Sequence, residues 1–295
     1  MDESFQVYIG NHLQKTSEIH NKKYFVFDLD ETIGSFQDLY TLCQMLNVMQ
    51  QNNTKKMFEK ATDILDDFLD LYPEFFRPGI FHILHYIYVK KQEKVCNGLF
   101  IYTNNQCIPE TWTQKILQYI EKKIQITDLV NNIILSFKIN NQIVEPKRTT
   151  QNKKYNEFIK CVMISKNSDI CFVDNSFFPK MKKNSVYYIQ PCPYYHFLSF
   201  SQIINRFIES SLGNKFITHT DQSKTQIYTQ LQSLHPFYLS LPTSPNIMDA
   251  NYYIEISKKM MYYIREYLFY QNTRKQRTLK NRSLRRNITR KNNIS

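Results

Sequence analysis

Short apolar runs that end in polar residues alternate with longer segments of helical period from Tyr24 to about Ser210. That order predicts an α/β fold, a doubly wound, Rossmann-like parallel sheet covered by helices. The candidate strands are Tyr24–Asp28, Leu99–Thr103, Asn132–Phe137, Ile170–Asp174 and Val186–Gln190, all rich in β-branched or aromatic residues. The candidate helices are Ile80–Lys91, which follows Pro78 and Gly79, then Pro109–Lys123, Lys154–Met163 and Phe197–Glu209. In Lys154–Met163, Tyr155, Phe158, Ile159 and Val162 fall on one face.

Two regions interrupt the alternation. Residues 35–76 read as an insertion, helical over 35–72 with a break at Gln51–Thr54, and form a small helical cap just beyond the end of the first strand. Residues 214–247 are polar, with Pro236, Pro242 and Pro245 close together, and read as an irregular linker. A last helix, about Asp249–Tyr270, carries Tyr253, Ile256, Met260, Tyr263 and Tyr267 as a stripe that should dock on the core. The organisation expected is a main α/β domain over 1–213, the linker, a C-terminal helix over 248–270 and a tail over 271–295.

The 295 residues carry a formal net charge of +12, and its distribution matters more than its size. Nine Lys and Arg lie in residues 271–295 with no Asp or Glu, so the rest of the chain is nearly neutral. Such a tail, without an apolar face, reads as disordered and as able to hold nucleic acid phosphates non-specifically or to serve as a nuclear-import signal. No apolar run reaches the roughly 18–20 residues of a membrane span, and the N-terminus lacks the basic-then-apolar order of a signal peptide. The six Cys show no CxxC spacing, so reduced thiols inside a cell, in cytoplasm or nucleus, are expected. Asn, Lys, Ile, Tyr and Phe abound while Gly numbers five, a bias that AT-rich coding produces.

The sharpest feature is Phe25-Val26-Phe27-Asp28-Leu29-Asp30-Glu31-Thr32, an apolar strand ending in two carboxylates and a hydroxyl. Three further segments follow: a strand ending in Thr103-Asn104-Asn105, a basic cluster of Lys147, Arg148, Lys153 and Lys154, and a strand ending in Asp174-Asn175-Ser176. In a doubly wound sheet the carboxyl ends of the strands share one edge, where ligands bind. Carboxylates gathered there repel a phosphate by about 4 kcal/mol per unit-charge pair at 4 Å and an effective dielectric of 20, so a cation must be present. Hard oxygen donors suit Mg²⁺. Asp28 can then attack phosphorus to give an aspartyl-phosphate, Asp30 can move the proton, and Thr103 with a lysine can hold the phosphoryl oxygens. His82 and His85, three apart on a helix, lack a third ligand and read as a half-buried pair; Cys107 and Cys161 have no basic helper.

This set, covering roughly residues 24–176, resembles the haloacid dehalogenase-like (HAD) phosphohydrolases. FDLDET, Arg77-Pro78-Gly79 before a helix, and Val173-Asp174-Asn175-Ser176 resemble the phosphatases of the RNA polymerase II C-terminal domain and the NLI-interacting-factor-like group. The composition and the segment Lys153–Tyr195 are similar to HAD-like proteins of large DNA viruses, which would place the chain in a host cell. The resemblance implies a Mg²⁺-dependent phosphatase with Asp28 as nucleophile, Asp30 as general acid/base, Thr103 and Asn104 on the phosphate, and Asp28, Asp30 and Asp174 around the metal. It implies a lysine that opens a helix, which fits Lys153 and, as second choice, Lys154. Arg77 has a role at a helix start and none in catalysis. A small insertion should leave an open site that admits a phosphorylated protein segment or a polynucleotide end. The alternative is a catalytically inactive HAD fold acting as a nucleic-acid-binding or interaction protein.

Overall fold

The structure is a computed structural model that describes residues 5–14, 21–51, 57–58, 60–108, 111–220, 222–238 and 249–269. A six-stranded sheet runs through it, formed by β1 (Phe5–Ile9), β2 (Lys23–Phe27), β3 (Gly98–Tyr102), β4 (Asn132–Ile134), β7 (Asp169–Val173) and β8 (Val186–Pro191). A separate hairpin pairs β5 (Lys138–Ile139) with β6 (Gln142–Ile143). The sheet order is β1-β8-β7-β2-β3-β4, parallel throughout except that β1 runs antiparallel to β8. The expected strand Asn132–Phe137 is shorter than its apolar run and ends at Ile134, because Ser136 and Phe137 both bond the Gln151 side chain and the chain turns into the hairpin.

β3 and β7 are buried along their whole length and β2 over Tyr24–Phe27, which is why each reads as an unbroken apolar run. Alternation divides the side chains between two cores. Phe25, Phe27, Leu99, Ile101, Cys171 and Val173 face one, and Tyr24, Val26, Phe100, Tyr102, Ile170 and Phe172 face the other. From β2 the chain steps through β3 to β4 with the helices Ile80–Gln92 and Trp112–Lys123 on the first face. It then returns to β7 and β8 on the other side of β2, and the right-handed crossover puts the helix Tyr155–Val162 on the second face. The order reverses at β2, so a crevice opens at its carboxyl end.

The helix 250–269 docks with four of its five stripe residues, Tyr253, Ile256, Met260 and Tyr267, buried; Tyr263 is only half-buried and Ile264 beside it is buried instead. Lys23 Nζ donates to the Leu268 carbonyl at 2.5 Å near the end of that helix, where a cation complements the dipole. The Tyr267 hydroxyl donates to the carbonyl of Asp169 at 2.8 Å, which ties the helix to β7.

Two expectations need correction. The stretch 214–247 is not irregular where it is described. Helices Ser211–Thr220 and Lys224–Tyr238 pack Phe216, Ile227 and Leu231 into the first core, and Pro236 falls in the last turn of the second helix. Nor is the insertion a separate cap. It leaves and returns at one point, where Ser35 N–H bonds Phe75 O at 2.7 Å and Arg77 N–H bonds Ile33 O at 3.0 Å. Between these, the helix Gln37–Gln51 buries Leu39, Leu42, Cys43, Met45 and Leu46, and the helix Leu65–Leu71 buries Phe68 and Leu69, in the same core as Phe27 and Leu29. A fully buried aliphatic or aromatic side chain contributes roughly 1.5–3 kcal/mol, so this segment is a wall of the body. The tail 271–295 and the expected break at 52–54 lie outside the described residues. Among the described residues no helix is long and apolar enough to cross a membrane.

Candidate active site

Phe27 pairs with Ile101 on one side and with Val173 on the other, so the residues that follow, Asp28 and Asp174, leave the sheet side by side. Asp28 N–H still bonds Val173 O at 2.9 Å. By alternation both carboxylates take the side of Val26 and Phe172, the side covered by Tyr155–Val162. Lys153 lies two residues before that helix and reaches under it. Its Nζ is 2.5 Å from Asp28 Oδ1 and 2.7 Å from Asp174 Oδ2, with the Phe178 and Tyr102 rings 5.3 Å and 5.6 Å away. Lys154 turns outward to Glu157 and Thr149, so of the two lysines only Lys153 joins the carboxylates.

The loop after β2 is held by bonds that the motif alone does not reveal. Glu31 adopts a left-handed conformation with φ 55, which costs a non-glycine residue of order 1 kcal/mol. Arg77 offsets this strain: its guanidinium, 1% exposed, donates to the carbonyls of Thr32 at 2.7 Å, Glu31 at 2.6 Å and Cys192 at 2.8 Å. Tyr194 and Tyr253 enclose it at 5.5 Å and 6.0 Å, so the C-terminal helix supports the site indirectly. Thr32 Oγ1 joins Asp28 to the loop after β7: it accepts Asn175 N–H at 3.0 Å, and its single proton has Asn175 Oδ1 at 3.0 Å and Asp28 Oδ2 at 3.3 Å as alternative acceptors.

A second buried guanidinium fixes the loop after β3. Arg148 donates to the carbonyls of Thr103, Leu135 and Gln151 and to Asn104 Oδ1 at 2.6 Å, which takes up the carbonyl end of that amide. Thr103 is fully buried and its hydroxyl accepts Asn105 N–H at 2.9 Å, so it shapes the loop and does not line the cleft. Asn105 Nδ2 then donates to Asp30 Oδ2 at 2.9 Å. Arg77, Arg148 and Asn105 are the contributors that the sequence reading left without a part in the site; a buried arginine bonding carbonyls has no spacing signature, and only the proximity of Arg148 to Lys153 hinted at it.

The cleft so formed has a volume of about 500 Å³ and is lined by Asp28, Asp30, Glu31, Asn104, Lys153 and Asp174, with Gln37 and Tyr40 from the insertion on its rim. A larger hollow of about 650 Å³ lies at the opposite edge of the sheet among Asn21, Lys166 and Ser185, far from these carboxylates. Charge distinguishes the smaller one. Burial and the neighbouring Asp28 charge push Asp30 up to about 7, against the Asn105 bond and Lys153. Glu31 is pushed up to about 8 by burial and by Asp30, Asp28 and Asp174. Burial would lower the Lys153 ammonium, but Asp174 and Asp28 outweigh it and hold its pKa above the ordinary value. Burial and the Asp28 charge push Asp174 up to about 7 as well, against Lys153 and the Ser176 N–H. The floor is therefore a lysine cation held between Asp28 and Asp174, with Asp30 and Asp174 both poised to gain or lose a proton near neutral pH.

Among the described residues no three His, Cys, Asp or Glu side chains come together as a group able to hold a metal ion by themselves. Asp30, expected as a third metal carboxylate, has its Oδ2 engaged by Asn105 instead. His82 and His85, expected half-buried, are exposed on the outside of their helix. Compared with protein-family models, with curated proteins and with solved structures, the chain gives no match.

Proposed function

We propose that the chain is a Mg²⁺-dependent phosphomonoesterase of the HAD type, working through an aspartyl-phosphate on Asp28. The observation that carries this reading is the shared contact of Lys153 with Asp28 and Asp174 at adjacent strand ends, with Asp30 two residues on. A buried carboxylate whose cation partner sits beside it is a nucleophile held in one orientation. In the first half-reaction an Asp28 oxygen forms the bond to phosphorus as the ester oxygen leaves and takes the proton of Asp30. In the second, Asp30 receives a proton from water as that water attacks the acylphosphate, releasing phosphate and restoring Asp28. A carboxyl with a pKa near 7 suits both transfers.

The donor set fits Mg²⁺, which takes one or two carboxylates and completes its shell with water and phosphate oxygens. Asp28 and Asp174 would hold it. When bound, the ion would neutralise charge between the carboxylates and the incoming phosphoryl oxygens. Lys153 steadies Asp28 and a phosphoryl oxygen, while Arg148 sets Asn104 in the wall. Because the insertion is packed into the body, the cleft stays open to the end phosphate of a large substrate, on a protein segment or a polynucleotide.

A small phosphate ester assayed with Mg²⁺ and with chelator tests this. Turnover that chelator and Asp28→Asn both abolish is the expected result; no turnover across a panel of phosphate esters, or undiminished turnover by Asp28→Asn, contradicts it.

A further inference from the structure

Asn175, Ser176 and Phe178 line the cleft, and Phe177 between them turns outward with 41% of its surface exposed. A single exposed Phe needs no explanation, but this one is held in place. Its ring lies 5.9 Å from that of Tyr188, at 27° between planes, and 5.2 Å from that of Tyr8. Both neighbours of Phe177 are fixed on the Tyr188 hydroxyl, which donates to Ser176 O and accepts Phe178 N–H. Tyr188 is in turn packed edge-on by Phe172 of β7 at 4.8 Å. The ring therefore stands rigid at the lip of the cleft before any ligand arrives.

Charge on this lip is one-sided. From Asn175 to Ile208 the chain holds no Asp or Glu, and Lys180 and Lys182 are exposed on the turn that leaves β7, while Lys183 already belongs to the hollow at the opposite edge of the sheet. Lys182 Nζ lies 4.5 Å from the Tyr8 ring. A fixed aromatic face beside lysines complements a base followed by phosphodiesters, since every base has a π-face and every linkage a negative charge. The carboxylates of the floor would repel a second phosphate, so a chain with one terminal monoester in the cleft and its next linkage over the lysines satisfies both surfaces. A phosphopeptide gains no comparable match from a flat ring and two lysines.

We propose that Phe177, with Lys180 and Lys182, receives the terminal nucleotide of a single-stranded polynucleotide whose end phosphate enters the cleft. This rests on the phosphomonoesterase reading and names its substrate class.

The test uses the full chain and four substrates: a short oligothymidylate phosphorylated at its 5′ or 3′ end, the same strand lacking the terminal base, a phosphoserine peptide, and glycerol phosphate. Phe177→Ala should raise KM for the intact strand about tenfold and change turnover of glycerol phosphate less than twofold. Removing the terminal base should cost the wild type the same factor and the variant nothing. Replacing Lys180 and Lys182 by Gln should flatten the salt dependence of strand turnover. Equal handling of intact and base-less strands by the wild type, or a phosphopeptide turned over in preference, overturns the proposal. If glycerol phosphate and every other ester resist turnover, the phosphomonoesterase reading fails, and anisotropy of the labelled phosphorylated strand still judges the lip. Binding that Phe177→Ala weakens about tenfold supports it, and equal binding overturns it.

Discussion

Lys153 and Asp28, 125 residues apart in sequence, meet at 2.5 Å beneath the helix that follows the lysine. The contact joins the two halves of the sheet at the strand where its order reverses, and it gives the first prediction. Lys153→Met leaves Asp28 and Asp174 buried without their cation, which costs about 3–5 kcal/mol when one partner of such a set is removed. Urea unfolding should show that loss together with at least a hundredfold fall in turnover. Lys154→Met, facing outward, should lose less than about 1 kcal/mol and keep turnover.

Asp30 gives a prediction in pH. A carboxyl whose pKa is pushed up to about 7 in the fold, from an ordinary value of 3.8, binds its proton more tightly folded than unfolded. Its effect on stability therefore worsens as pH rises from about 4 to about 7 and is level above that. Asp30→Asn, measured in chelator, should melt at least ~2–4 °C above the wild type near pH 8, and the gap should close near pH 4. A variant equally stable at both pH values would show that Asp30 is not disfavoured as a charge.

Arg77 touches no reacting group in this account, yet it bonds three carbonyls around the loop that carries Asp30 and Glu31. Lysine cannot reproduce that fork. Arg77→Lys should lower stability by about 2–3 kcal/mol and reduce turnover of a small ester through kcat, with the pH profile unmoved. A shifted profile would mean that Arg77 acts on the titrating groups directly.

The C-terminal helix is predicted to be part of the body. Met260→Ala opens a cavity at a fully buried position and should cost about 2–5 kcal/mol by urea denaturation. A loss near zero would show the helix to be separable.

The parallel strands were legible because strands buried on both faces are written as continuous apolar runs, and Asp28 and Asp174 were legible because each ends one. β1 was not: Phe5–Ile9 alternates with polar Gln6 at the edge, and its partner lies some 180 residues away in β8. The helix Lys224–Tyr238 was hidden by Pro236 near its end and by the weak contrast between its faces. The insertion reads as a cap from its place just beyond the first strand, whereas Leu39, Leu42, Cys43, Met45 and Leu46 form one broad apolar face of its first helix, which docks on the core beside Phe27 and Leu29. Thr103 looked like a ligand because its type and place fit, whereas its burial depends on Arg148 and Asn105 folding the next loop over it.

Trapping the covalent intermediate tests the central claim most directly. Wild type and Asp30→Asn, the latter slowed in the step that needs a base, would be mixed with a small phosphate ester and Mg²⁺, quenched in acid and digested for mass spectrometry. The account predicts one phosphoryl group on the peptide containing Asp28, more abundant in Asp30→Asn and missing from Asp28→Asn. Turnover by the wild type with no such adduct, or with the phosphoryl group on any other residue, would contradict it.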